Sequence, residues 1–390
     1  MAVYKLFPLK DASLYSFYPV MNTGIDAIIE AGNLNVNINP VPQVFRYLIE
    51  FDQTEIENVI DTKVGNGKAF ASDLKCYVAN AQGVIFDTEL YIYPSSGSWS
   101  NGSGTYLDQP FTVNGVSWIF RNYSGSAAEG ATDWETNIPA LSTYVTASWQ
   151  TGTAGGGNWY TGSDDPNNLN VEASQSFTLR SSKDLNTSVT DIVNIWYSSS
   201  KNIGGYTNIV NDGFIVKWED SVEFNSSNAI NPIMQFYAID TNTIYPPVLE
   251  IKWDDQLFNT GSLPALATSD IFVALDNNPG VFFSESINRF RLNCRPDYPV
   301  RRFMTSSVDT INHYLPDGSL WAIKDLDTNE FVINFDTEYT KISCDATSNY
   351  FDVYMTGLQP ERYYKILIQT TISGSTLVKD DNYYFKVVNG

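Results

Sequence analysis

Residues 234–255, MQFYAIDTNTIYPPVLEIKWDD, limit the chain's options more than any other stretch. Residues 234–239 are aromatic and β-branched. Asp240, Thr241, Asn242 and Thr243 form a polar turn whose side chains can bond their own backbone. Tyr245-Pro246-Pro247 cannot start a helix, because each proline removes a donor and biases the residue before it toward extended backbone. Residues 248–253 then alternate: Val248, Glu250 and Lys252 on one face, Leu249, Ile251 and Trp253 on the other. Asp254 and Asp255 stop the run. The pattern is strand, turn, strand, and it closes the first of two domains, 1–255 and 256–390.

The same grammar runs through the chain. Strands are expected at residues 13–18, 25–31, 44–52, 71–79, 88–93, 144–149, 176–180 and 214–218, although 25–31 is also compatible with one helical turn. Two helices are expected. One spans 53–60, with carboxylates early. The other lies within 184–197, with Ser188 as cap and Ile192, Val193, Ile195 and Trp196 on its apolar face. From residue 256 the chain restarts with short alternating strands at 271–275, 289–294, 319–324, 330–335, 350–356, 363–371 and 383–388. Turn signals such as Asn278-Pro279-Gly280 separate them. With 24 Tyr and 22 Phe among 390 residues and few helical patterns, the fold class is all-β: a large jelly-roll-like β-sandwich followed by an immunoglobulin- or fibronectin-III-like sandwich.

Two segments dense in Gly, Ser and Asn hold aromatic residues: 94–122, with Trp99, Tyr106 and Trp118, and 152–170, with Trp159 and Tyr160. Such loops either bind or plug the open end of a sandwich. As binding loops they would offer a sugar platform, since aromatic faces stack on apolar ring faces. They would equally suit a protein partner. Arg289, Arg291, Arg295, Arg301 and Arg302 cluster in an otherwise acidic chain. They read either as a docking patch for an acidic neighbour or as local pairs to Asp and Glu.

The net charge of −21 argues against nucleic acid as the main partner. Cys76, Cys294 and Cys344 read as core thiols, with a 294–344 bridge possible in principle. The N-terminal residues lack the apolar core of a signal peptide, and no stretch is apolar enough to insert in a membrane. A surface of extracellular character without an export signal suggests assembly in a cytoplasm and later life on a particle. The Asn-x-Ser patterns at Asn101, Asn122, Asn186 and Asn225 then read as turn residues.

Enzyme chemistry finds little footing. The single histidine, His313, has no nucleophile-elbow partner, and no carboxylate pair is singled out as a glycosidase would need. Residues 325–330 mimic part of a calcium loop, but Glu330 stands where that loop needs glycine. Residues 164–170 are another oxygen-rich loop. No catalytic residues, cofactor or metal are therefore assigned.

Several motifs carry a resemblance. Residues 11–32, the strand RYLIEFD at 46–52, VTDIVNIW at 189–196, and NDGFIVK at 211–217 with residues 246–253 as paired closing strands resemble, in order, the DNRLRE carbohydrate-binding-like β-sandwich. The whole arrangement is similar to virion structural proteins of tailed phages of marine bacteria, notably contractile-tailed cyanobacterial phages. Gly357-Leu358-Gln359-Pro360 followed by Tyr364 resembles a fibronectin-III corner. The resemblance implies a non-enzymatic virion protein of the neck, tail, baseplate or fibre region. It would work through contacts with other virion proteins, as a homo-oligomer within the particle, with a host glycan as the alternative ligand.

Overall fold

The computed structural model describes residues 2–34, 43–65, 67–123, 132–134, 156–160, 171–204, 209–223, 231–276, 278–300 and 310–390. It is all-β, as the alternating patterns require. The chain divides into two compact units. The larger comprises Leu6–Ile60 and Ala71–Glu250; the smaller comprises Met1–Lys5, Asp61–Phe70 and Ile251–Gly390. The partition differs from a cut after residue 255 in that short N-terminal pieces group with the C-terminal sandwich. Val3, for example, lies in the same apolar core as Leu292, Trp321 and Phe385.

In the larger unit an eight-stranded sheet runs in the order Ala173–Phe177, Thr88–Pro94, Phe214–Trp218, Gln43–Glu50, Ile28–Leu34, Ile233–Tyr237 and Val78–Gln82, with Lys10–Tyr15 also paired to Gln43–Glu50. Gln43–Glu50 lies at the centre, and its residues 44 to 49 are all buried. Asp52 caps the helix Gln53–Val59 by accepting the Thr54 N–H at 2.8 Å, as expected for a carboxylate before the first turn. The second helix starts later than the sequence suggests, at Thr190–Ser200. Ser188 does not cap it. Leu185–Ser188 is a strand paired with residues 73–76, and Ser188 is spent in that ladder. The helix still buries Ile192, Val193, Ile195 and Trp196.

The stretch at 234–255 also needs correction. Its two strands form, as Ile233–Tyr237 and Val248–Trp253, but they belong to different sheets. The expected pairing of 211–217 with 246–253 is absent too. Phe214–Trp218 instead pairs with Gln43–Glu50 and Thr88–Pro94. Leu249, Ile251 and Trp253 are buried as the alternation demands. Glu250 is buried on the opposite face, where Lys75 pairs with it at 2.8 Å. The strand expected at 144–149 lies outside the described residues.

The smaller unit is a two-sheet sandwich. One sheet runs Ile271–Asp276, Ile287–Pro296, Asn349–Tyr354, Ser343–Cys344. The other runs Val281–Phe283, Ser375–Val388, Tyr363–Ile372, Leu320–Asp325, Phe331–Ile333. All seven strands read from the sequence occur. Leu358 is buried, and the Tyr364 hydroxyl donates to the Gln359 carbonyl at 2.9 Å. That bond, from the start of a strand back to the preceding turn, is the tyrosine corner of Greek-key sandwiches. The three cysteines are buried and free. The 294–344 bridge is not formed, and burial pushes the Cys344 thiol up to about 11.

Candidate functional site

The glycine-rich loops of the larger unit turn inward. Asn22 is the hub. Its amide donates to the carbonyls of Asn101 and Val116, both at 2.7 Å, and its oxygen accepts the Gly104 N–H at 2.8 Å. Gly102 sits at φ +81°, and a Cβ there would run into Asn22 and the Asn114 carbonyl. Glycine is thus demanded by close packing as well as by conformation.

The tryptophans follow the loops inward. Trp99, Trp118 and Trp159 are 4–5% exposed and share one apolar core with Leu14, Leu48, Trp134 and Ile215. Tyr160 is buried as well. The Trp99 ring nitrogen donates to the Asp212 carbonyl at 2.9 Å, and the Lys10 ammonium lies 4.3 Å from its ring. These four residues therefore cannot stack on a sugar from solvent. Of the five aromatic residues nominated as loop sites, Tyr106 alone is exposed, at 38%.

What the loops enclose is a buried ionic cluster. Arg46, from the central strand, binds Glu223 through two hydrogen bonds of 2.9 and 2.6 Å and donates to the Gly156 carbonyl at 2.9 Å. Its guanidinium lies 5.4 Å from the Trp118 ring and 5.1 Å from the Trp159 ring. Lys217 adds a second cation, 3.3 Å from Glu223. A charge at this depth is tolerable only when paired and fully hydrogen-bonded. The cluster binds together the central strand, the Gly156 loop and the short helix Asp220–Glu223.

In the smaller unit the arginines are already engaged. Arg289 pairs with Asp352 through two 2.8 Å bonds and stacks 4.2 Å from the Tyr350 ring. Arg291 binds Asp345 at 2.8 Å and holds its carboxyl far below the usual carboxylate range. Arg295 lies 4.5 Å from the Phe272 ring. Arg301 and Arg302 lie outside the described residues. Arg289 and Arg291 are thus paired within the chain. Arg289 and Asp352 also border an open polar cleft of 310 Å³ with Lys68, Asp254 and Asp255.

The remaining sequence candidates resolve as structure. Asp325 accepts the N–H groups of Asp327 and Thr328 and pairs with Arg362 at 2.5 Å, so residues 325–330 are a hairpin turn whose carboxylate is spent. His313 sits in a backbone-bonded segment, its N–H on the Cys294 carbonyl at 2.7 Å. Among the described residues no group of three His, Cys, Asp or Glu is placed to hold a metal ion, and no helix is long and apolar enough to cross a membrane. Residues 164–170 lie outside the described residues.

One surface escaped the sequence reading. The outward face of the second C-terminal sheet sets lysines among exposed rings. Lys324 stands opposite Phe331 on one side and Lys365 on the other, and Lys365 stands opposite Tyr384. In the next row Tyr363 faces Lys386, which faces Val281. The Lys324 ammonium lies 4.4 Å from the Phe331 ring. Phe331, Tyr363, Tyr384, Val281 and Phe283 are all exposed. The signal was present in the alternation of residues 363–366 and 384–387, where Tyr and Lys interleave with Tyr364, Ile366, Phe385 and Val387 of the core.

No family model matches the chain, and no curated protein matches it. Among solved structures, it is similar to a DUF4785 family protein from Legionella pneumophila, at 7% identity and a TM-score of 0.20. The aligned region covers 83% of this chain and 64% of that protein, so it spans less than two thirds of that relative. Likeness at this level supports no inference about function.

Proposed function

We propose that this chain is a non-enzymatic structural component of a tailed-phage virion, in its neck, tail, baseplate or fibre region. It works through protein–protein contacts with other virion proteins and with further copies of itself. The supporting observation is the lysine–aromatic face of the C-terminal sandwich. Exposed aromatic residues are enriched at protein interfaces, and grouped exposed apolar side chains mark interaction sites. The inward-turned loops of the larger unit fit a rigid building block, and the ion pairs of Arg289, Arg291 and Asp325 are those of a self-contained fold. Mass spectrometry of purified particles is the test. The chain should be present at a copy number that matches a ring or appendage, and its absence from the particle would end this reading.

The alternative, a carbohydrate-binding module for host attachment, loses the buried Trp99, Trp118, Trp159 and Tyr160. It keeps the exposed ring of Tyr106.

A further inference from the structure

We propose that the edge strand Val281–Phe283 pairs with the same strand of a second copy of this chain, antiparallel across a two-fold axis. The inference rests on the reading of the lysine–aromatic face as a contact surface and names what meets its edge.

The smaller unit contains two sheets, each with two edges. The chain itself closes three of them. The Lys5 ammonium donates to the Val332 carbonyl at 2.8 Å, on the edge strand Phe331–Ile333. The Tyr383 hydroxyl donates to the Val273 carbonyl at 2.8 Å, on Ile271–Asp276. On Ser343–Cys344, the Cys344 N–H donates to the Leu257 carbonyl and the Asn259 N–H to the Cys344 carbonyl, both at 2.9 Å. An uncovered edge is a template for another strand, and proteins ordinarily block it.

The fourth edge stays open. Val281–Phe283 runs parallel to Ser375–Val388. The Gly280 carbonyl accepts the Lys386 N–H at 2.8 Å, and the Ser284 N–H donates to the Val388 carbonyl at 2.9 Å. Backbone groups alternate sides along a strand, so residues 280, 282 and 284 face that neighbour while 281 and 283 face outward. Ser286 occupies the Phe283 carbonyl, through its N–H at 3.1 Å and its hydroxyl at 2.6 Å. Among the described residues nothing bonds to the N–H or carbonyl of Val281. Apolar surface surrounds these groups, with Val281 52% and Phe283 61% exposed. Phe282 anchors the strand, its ring 5.2 Å from Phe290 and 5.6 Å from Phe385 in the core.

The open groups select the occupant. One donor and one acceptor on a single extended residue match another β-strand. A register centred on Phe283 is excluded, since the carbonyl it needs is taken. One centred on Val281 joins the two copies of that residue by reciprocal N–H to carbonyl bonds and sets Phe283 diagonal to the partner's Val281. A second copy presents this same open edge, and the other three edges of the unit are closed. Two bonds and a small apolar contact make a weak pair, which copies held together in an assembly would strengthen through effective concentration.

Cysteine cross-linking of the full chain tests this. Facing Cα atoms in a hydrogen-bonded antiparallel pair lie about 5.5 Å apart, within the ~4.4–6.8 Å that a disulfide spans. The native cysteines are buried. Val281→Cys should form a disulfide-linked dimer at least tenfold faster than Val378→Cys, a position 54% exposed on the neighbouring strand. Adding Phe283→Lys to Val281→Cys should slow the linkage at least tenfold. Val281→Pro removes only an outward N–H, so it should abolish the dimer in sedimentation velocity at an unchanged melting temperature. The proposal is overturned if Val281→Cys links no faster than Val378→Cys, if Phe283→Lys leaves that rate unchanged, or if the wild type stays monomeric throughout a dilution series. Those results would remove the two-fold pair, whereas absence of the chain from particles would remove the virion reading, and neither outcome decides the other.

Discussion

The two units use the same pair of groups, a cation beside an aromatic ring, in opposite settings. In the larger unit Arg46 is sealed between Trp118 and Trp159, and Glu223 neutralises it. In the smaller unit Lys324, Lys365 and Lys386 lie near Phe331, Tyr384 and Tyr363 on an open sheet face. Charge is divided in the same way. The larger unit has a net −17, while the smaller holds 15 of the 23 Lys and Arg and nets −4. Where the contact is buried it dictates the fold, because an unpaired charge there is intolerable. Where it is exposed, as at Lys365 and Lys386, which also pair with Asp380 and Glu361, it adds little to the fold.

The largest expected effect follows from that contrast. Arg46→Ala strands Glu223 in the core and should destabilise the larger unit by about 3–5 kcal/mol, read by urea unfolding. Arg289→Ala, which removes a more exposed pair, should cost no more than about 1 kcal/mol. Equal losses would erase the distinction. Next, Asn22→Ala removes the hub of the glycine-rich loop. It leaves the Gly104 N–H without its partner, which should cost about 2–3 kcal/mol.

Asp11 sharpens the comparison through pH. Burial is the main reason its carboxyl is raised from 3.8 to about 7; the Ile239 N–H, bonded at 2.7 Å, opposes the shift, and Asp240 and Asp26 add to it. A carboxyl whose folded pKa is raised stabilises the fold below its unfolded pKa, and that contribution is lost as pH rises through about 7. The melting temperature of the larger unit should therefore fall between pH 5 and 8 more steeply in the wild type than in Asp11→Asn. Parallel curves would show that Asp11 is not the titrating group. The smallest effect on stability is expected at the exposed face. Lys324→Glu, Lys365→Glu and Lys386→Glu should each change stability by less than about 1 kcal/mol, yet lower incorporation into particles. Normal incorporation of the triple variant would remove this face from assembly.

How much of this was legible in the sequence depends on how local the signal was. The C-terminal strands read correctly because each carries its own alternation and turn. The fibronectin-type corner read correctly because Leu358, Pro360 and Tyr364 act within one turn. The fate of Trp99, Trp118 and Trp159 was not legible, since glycine-rich aromatic loops look alike whether they are presented or packed inward. Arg46 gave no hint of burial, because its partner Glu223 lies 177 positions away. Ser188 looked like a cap only because its pairing with the strand Phe70–Cys76 is also non-local. Tyr106 was named, but the rings beside it, Tyr15 and Tyr18, come from a separate segment that the fold alone brings alongside.

Hydroxyl-radical footprinting of the free chain and of the assembled particle tests the central claim most directly. In the free chain Phe331, Tyr363 and Tyr384 should be oxidised, while Trp99, Trp118 and Trp159 stay protected. In the particle the three C-terminal rings should become protected and the tryptophans should not change. Equal labelling of those rings in both states, or reactive tryptophans in the free chain, would contradict the account.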